Sequence, residues 1–242
     1  MVPSDTASTD DRLLDGRVHI RQPASGYRVA VDPVLLAAAT PARAGQHVLD
    51  AGCGTGAAMF CLAARVPGVQ LTGIEIQETL ADHARAGIGL NRLDGAARIL
   101  SGDIARGNHG VFDLVMTNPP FGDDGTPPPD DSLARAHMES HLDLAGWIKA
   151  CLAALRPKGR LVMIHRADRL SDILAALAGR AGDIRIRPIY PKSGQPARRV
   201  IVDAGKDRRT PDTLLPGLVL HEESGAFTAA ADAVLRSAGA LL

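Results

Sequence analysis

Aromatic side chains are scarce in this sequence: one tryptophan, two tyrosines and four phenylalanines. Alanine is abundant instead, so the core is expected to be aliphatic and rich in helix. Long apolar runs are also missing. No stretch approaches the roughly 18–20 apolar residues of a membrane-spanning helix, and the polar, acidic start lacks the apolar region of a secretory signal. Residues 1–12 read as a disordered leader. The three cysteines, Cys53, Cys61 and Cys151, show no metal-ligand spacing and leave one unpaired, which suits reduced thiols in a cytoplasmic protein that holds no metal. Charge of one sign is missing too, with 27 Lys and Arg against 27 Asp and Glu, so no global field draws the chain to nucleic acid. Any such binding needs a local patch. The candidate is residues 185–209, which hold Arg185, Arg187, Lys192, Arg198, Arg199, Lys206, Arg208 and Arg209, offset by Asp183, Asp203 and Asp207.

What is present is an alternation of β-rich runs with helical patterns, the signature of βαβ units and a mainly parallel sheet. A length of 242 residues fits one such domain and can bury a core without disulfides or metal. Residues 13–242 therefore read as one domain, with 13–45 an N-terminal hairpin and helix extension and 46–242 the core. Strands are predicted over His47–Gly52, Val69–Glu75, Ala97–Asp103, Phe112–Thr117 and Arg160–His165, with Ile184–Tyr190 and Arg198–Ala204 as a closing antiparallel pair. Helices are predicted over Thr55–Arg65, Glu78–Arg92, Leu142–Leu155 and Arg169–Ala181. Ahead of the core, Gly26–Asp32 reads as a short strand or hairpin and Pro33–Thr40 as a helix that Asp32 caps. Gly122–Ser132, rich in Gly, Asp and Pro, reads as a loop.

Two segments carry chemistry. The first is Asp50-Ala-Gly-Cys-Gly-Thr-Gly56, a glycine-rich turn between a strand and a helix. Such a turn lets a ligand approach the backbone beside free N–H groups. Its spacing departs from the Gly-x-Gly-x-x-Gly of dinucleotide sites. The acid that opens it suits a cofactor with a cationic amino-acid end. Glu75 ends the second strand, where a carboxylate accepts ribose hydroxyls, and Asp103 ends the third, where it can accept from an adenine amino group. Each acid alone could be a cap or turn residue. Three at successive strand ends beside the glycine turn point to a ligand.

This set resembles the class I S-adenosylmethionine-dependent methyltransferases over Val48 to about Arg166. The resemblance implies a Rossmann-like seven-stranded sheet, mostly parallel with an antiparallel last strand and helices on both faces. It implies S-adenosylmethionine as cofactor, with Gly52, Gly54 and Gly56 at its methionine end. Glu75 and the adjoining Ile76 would meet the ribose, Asp103 and the adjoining Ile104 the adenine, and Asn118 would border both cofactor and acceptor.

The second segment is Asn118-Pro-Pro-Phe121, directly after the fourth strand. Pro119 and Pro120 have fixed φ, and the residue before a proline is held out of the helical region, so the turn is stiff. Carbonyls at Asn118 and Pro119 can then grip the N–H groups of an amine whose lone pair is delocalised, turning that lone pair toward an incoming methyl. Phe121 offers a face for base stacking. An isolated Asn-Pro-Pro would read as a plain turn; its place after the cofactor turn favours the catalytic reading. The segment resembles the (Asn/Asp)-Pro-Pro-(Tyr/Phe) signature of amino-methyltransferases, whose acceptors include adenine, cytosine, guanine and glutamine amides.

Flanking stretches narrow the choice. Gln22 to Ala37, Ala134-Arg-Ala-His-Met-Glu139 and His221 to Thr228 resemble the tRNA1(Val) adenine-37 N6-methyltransferase family. The implied acceptor is N6 of adenine in tRNA, with Tyr27 and Asp32 near the cofactor or base, His137 and Glu139 on RNA or ordering their loop, and Lys192, Arg198 and Arg199 on phosphates. Gly122 departs from relatives that carry another aromatic there. Competing readings are a glutamine N5-methyltransferase acting on release factors, a ribosomal-RNA guanine N2-methyltransferase and a non-catalytic RNA-binding module. The short N-terminal region, the single domain and the intact Asn118 and Phe121 weigh against these in turn.

Overall fold

A computed structural model describes residues 8–25, 28–106, 109–119 and 142–241. An antiparallel hairpin of β1 (Ser8–Leu13) and β2 (Val18–Pro23) comes first, followed by helix α1 (Asp32–Ala39). The core then runs β3 (His47–Ala51), α2 (Ala57–Arg65), β4 (Gln70–Glu75), α3 (Glu78–Leu90), β5 (Ala97–Ser101) and β6 (Phe112–Thr117). It continues with α4 (Leu144–Ala154), β7 (Leu155–Arg166), a 3-10 turn, α5 (Leu170–Leu177), β8 (Ala181–Lys192) and β9 (Arg199–Lys206). Two short strands, β10 (Thr213–Leu214) and β11 (Leu218–His221), and helix α6 (Ala229–Leu235) close the chain.

The main sheet has the order β8-β9-β7-β6-β3-β4-β5, with β10 and β11 each laid parallel on the outer edge of β8. Strands β3 to β7 are mutually parallel, and β9 runs antiparallel to both β7 and β8. These are the seven strands expected from the sequence, in a class I methyltransferase fold. The central strands are apolar on both faces because helices cover both. Val48, Leu71, Leu114, Met116, Val162 and Ile164 face one core, shared with α1, α2, α6 and the hairpin. Leu49, Ala51, Ile74, Val115, Leu161 and Met163 face the other, beneath α4 and α5. Side chains one apart in a strand thus divide between the two cores, as the two-residue period of a strand requires.

From β3 the chain winds outward through β4 and β5, then returns to β6 on the other side of β3. Strand order reverses there, which opens a crevice outside the carboxyl ends of β3 and β6. In register, Ala51 stands beside both Ile74 and Thr117. The next residues, Gly52, Glu75 and Asn118, therefore share one rim.

Several expectations are corrected. Ser8–Leu13 is a strand rather than part of a disordered leader, because its polar side chains find partners across the hairpin. Asp10 pairs with Arg21 at 2.9 Å and Asp11 accepts from Gln22 Nε2 at 2.6 Å. The third strand stops at Ser101, before Asp103. Arg28–Val31 has no regular structure, so the N-terminal hairpin lies earlier than expected. Asp32 does not cap α1: Val31 holds that position, while Asp32 lies in the first turn with its carboxylate on Arg199 Nε at 2.8 Å. Pro120, Phe121, the Gly122–Ser132 loop, His137, Glu139 and Tyr27 lie outside the described residues.

Candidate active site

The glycine turn takes its shape from backbone that only glycine adopts easily. Gly52, Gly54 and Gly56 have φ of 71°, 54° and 85°, in the left-handed region. At Gly52 a Cβ would also stand 3.1 Å from the Trp147 ring, and at Gly56 it would stand 2.6 Å from Phe60. Backbone bonds from Gly52 and Cys53 N–H to Ile74 O, at 2.9 and 3.0 Å, fasten the turn to β4. Glu75 fastens it further: its Oε2 accepts from Gly54 N–H at 2.8 Å and its Oε1 from Gln77 N–H at 2.9 Å.

Asp50 is only 2% exposed. Burial pushes its carboxyl up to about 7, against an opposing hydrogen bond from the Met59 backbone and with a further push from Glu75. Among the described residues, the buried side-chain oxygens that lack a hydrogen-bond partner are Asp50 Oδ2, Thr55 Oγ1 and Asn118 Oδ1. Orphaned buried acceptors are rare because each costs roughly 1–3 kcal/mol. Three of them on the turn and at the end of the neighbouring strand mark a place prepared for hydrogen-bonding groups from outside the chain. Asp103 sits farther along the rim, where its Oδ1 accepts from Ala105 N–H at 2.9 Å; Arg106 lies 3.4 Å from its Oδ2, and Ile104 is buried beneath.

The comparisons with known proteins agree with this geometry. Residues 28–181 match the methyltransferase small domain family. A tRNA1(Val) (adenine(37)-N6)-methyltransferase of Porphyromonas gingivalis is 34% identical over 229 residues, 88% of this chain and 88% of its own. The chain belongs to the methyltransferase small domain family. It is a class I S-adenosylmethionine-dependent methyltransferase. Another relative, from Yersinia pestis and bearing the same name, is 27% identical over 212 residues, 83% of this chain and 82% of its own. Among solved structures, a predicted O-methyltransferase from Agrobacterium tumefaciens has a TM-score of 0.72 at 27% identity, covering 87% of this chain and 98% of its own.

The methyltransferase's rim fits its cofactor. A buried, unpartnered carboxylate oxygen on Asp50 suits an ammonium. Some residues expected at the site have other partners. Arg199 is engaged with Asp32, so it stiffens the junction of α1 and β9. The basic run 185–209 does not form one patch. The β8–β9 hairpin pairs Ile189 with Arg199 but Ala181 with Lys206. At ~3.3 Å per residue the two ends of β8 lie about 35 Å apart. Lys192, Arg198 and Arg199 are at the site end; Lys206, Arg208 and Arg209 are at the far end. Arg185 and Arg208 lie beside Asp183, Arg187 donates to Pro216 O, and Lys206 donates to Leu155 O.

The structure also adds residues that the sequence reading passed over. Thr117, completely buried, accepts from the Trp147 indole N–H at 3.0 Å and donates to Ala51 O at 2.8 Å. Thr55 adds its orphaned hydroxyl inside the glycine motif, a position where the glycines alone drew notice. His165, buried on β7 two residues past the Met163 that pairs with Thr117, is pushed down to about 4 by burial and then by Arg169.

Proposed function

We propose that this methyltransferase modifies an exocyclic amino nitrogen, N6 of adenine in tRNA. The observation that carries the reading is Asn118 Oδ1: buried, without a partner, at the end of β6 beside the cofactor turn. An acceptor so placed suits an amino N–H. The tRNA acceptor is supported by the naming of the Porphyromonas and Yersinia relatives, and it places the reaction in the cytoplasm.

S-adenosylmethionine supplies an electrophilic methyl when bound. In this reading Asp50 holds its cationic amino-acid end, Glu75 meets the ribose and Asp103 the adenine edge. Asn118 Oδ1 and the Pro119 carbonyl accept from the amino group and orient its lone pair, so the gain is positioning together with fixed dipoles. No base is needed beforehand, because the alkylated nitrogen is acidic and loses its proton to solvent. The base leaves its stack to reach the rim. Lys192 and Arg198, at the site end of β8 and β9, take flanking phosphates.

The test is transfer of tritiated methyl from S-adenosylmethionine into unfractionated tRNA, ribosomal RNA and release factor, followed by nucleoside and amino-acid analysis. Label in N6-methyladenosine of tRNA is expected; label in glutamine, or in a guanine, overturns the assignment. Asn118→Ala is expected to lower turnover by about 100-fold or more while cofactor affinity stays within a few-fold.

A further inference from the structure

The cofactor turn and the acceptor turn leave neighbouring strands from paired residues. Ala51, which precedes Gly52, pairs with Thr117, which precedes Asn118. At this last rung a side-chain relay crosses the strands: Trp147 Nε1–H donates to Thr117 Oγ1 at 3.0 Å, and the Thr117 hydroxyl donates to Ala51 O at 2.8 Å. Trp147 is 8% exposed and Thr117 fully buried, so neither bond competes with water. The Trp147 ring also lies against Gly52, where a Cβ would meet it at 3.1 Å. One tryptophan thus touches the cofactor turn with its ring and, through Thr117, the root of the acceptor turn with its N–H.

We propose that Thr117 and Trp147 are positioning residues that set the separation between the bound cofactor and the acceptor nitrogen. Methyl transfer needs the reacting atoms in line and about 3–3.5 Å apart. Each reacting partner is held by a different turn, so the alignment depends on how those turns are fixed relative to each other. The backbone ladder between β3 and β6 holds the strands, but it ends at Ala51 and Thr117. The relay clamps that final pair and adds α4 as a third anchor. This inference rests on the reading of Asn118 as the amino-group acceptor.

A tryptophan that only filled the core would affect stability. A positioning residue affects turnover while binding persists. The test therefore measures kcat on the acceptor fraction labelled by the wild-type enzyme, KM for S-adenosylmethionine, and calorimetric affinity for S-adenosylhomocysteine, all well below each variant's melting temperature. Thr117→Val removes both hydrogen bonds at nearly constant volume; Trp147→Phe removes the indole donor together with part of the ring that lies against Gly52, both of them parts of the clamp. Both are expected to lower kcat on the order of 10- to 100-fold with cofactor KM and affinity within about threefold. Thr117→Ser, which keeps the hydroxyl, is expected to restore the rate. Should Thr117→Val fail to fold, Trp147→Phe decides the matter, since it leaves the bond to Ala51 in place. Wild-type kcat in either folded variant overturns the proposal, as does a loss confined to cofactor affinity. If Asn118→Ala also turns over normally, the acceptor reading itself fails; a dead Asn118→Ala beside a normal Thr117→Val removes only the clamp.

Discussion

Asp50 is the residue at which electrostatics and binding meet most directly. Its folded carboxyl stands near 7 rather than at its ordinary 3.8, raised by burial and by Glu75. An acid raised on folding favours the protonated form, so its contribution to cofactor-free stability is present at low pH and lost as pH rises through about 7. A cationic ligand reverses the preference, because it stabilises the ionised carboxylate. Affinity for S-adenosylhomocysteine is therefore expected to rise between pH 6 and 8, with proton release near pH 7, and Asp50→Asn should flatten that dependence. Calorimetry in two buffers of different ionisation enthalpy checks both points. A pH-independent affinity in the wild type would separate Asp50 from the ligand's charge. The glycines, Asp50 and Glu75 were legible in the sequence because each lies at a strand end in a spaced motif. Thr117 and Trp147 were not, since a buried tryptophan in an apolar helix reads as packing until its N–H partner is known.

Between elements, one tight constraint is where α2 meets α3. Phe60 of α2 fills the space left by two glycines, Gly56 in the cofactor turn and Gly87 in α3, and a Cβ on either would overlap its ring. On an exposed helix, glycine to alanine gains about 1 kcal/mol. Here the overlap, worth ~1–3 kcal/mol, outweighs it. Gly87→Ala is expected to destabilise by about 1–2 kcal/mol in denaturant melts, and the same change in a Phe60→Leu background to be neutral or stabilising. The order of core elements was readable because buried strands of the parallel sheet are continuous apolar runs. Strand β1 was hidden by its composition: Thr9, Asp10 and Asp11 resemble a solvated leader until pairing with Arg21 and Gln22 across the hairpin satisfies the two acids.

Across the whole molecule, contacts remote in sequence decide which basic residues are available to a polyanion. Asp32 and Arg199 are 167 positions apart yet pair at 2.8 Å, joining α1 to the start of β9. Arg199→Ala leaves a largely buried carboxylate without that partner. The expected loss is on the order of 1–2 kcal/mol, reduced because Arg199 is one-third exposed. Arg198→Ala should leave the melting temperature unchanged and instead weaken tRNA binding and lower its salt slope by about one. Thermal melts and salt-titrated binding of both variants check the division; a loss of binding without loss of stability in Arg199→Ala would return that residue to the RNA surface. No sequence pattern announces such a pairing, because neither partner lies in a motif with the other.

The two short strands on β8 have a consequence for how copies of this chain behave when crowded. An uninterrupted outer strand is a template onto which another molecule can lay its own backbone. Here β8, the longest strand on that flank, is covered by β10 and β11, which are two and four residues long and separated by Leu215, Pro216 and Gly217. The opposite margin is the five-residue β5. Neither flank offers a long register for sheet growth from one molecule to the next.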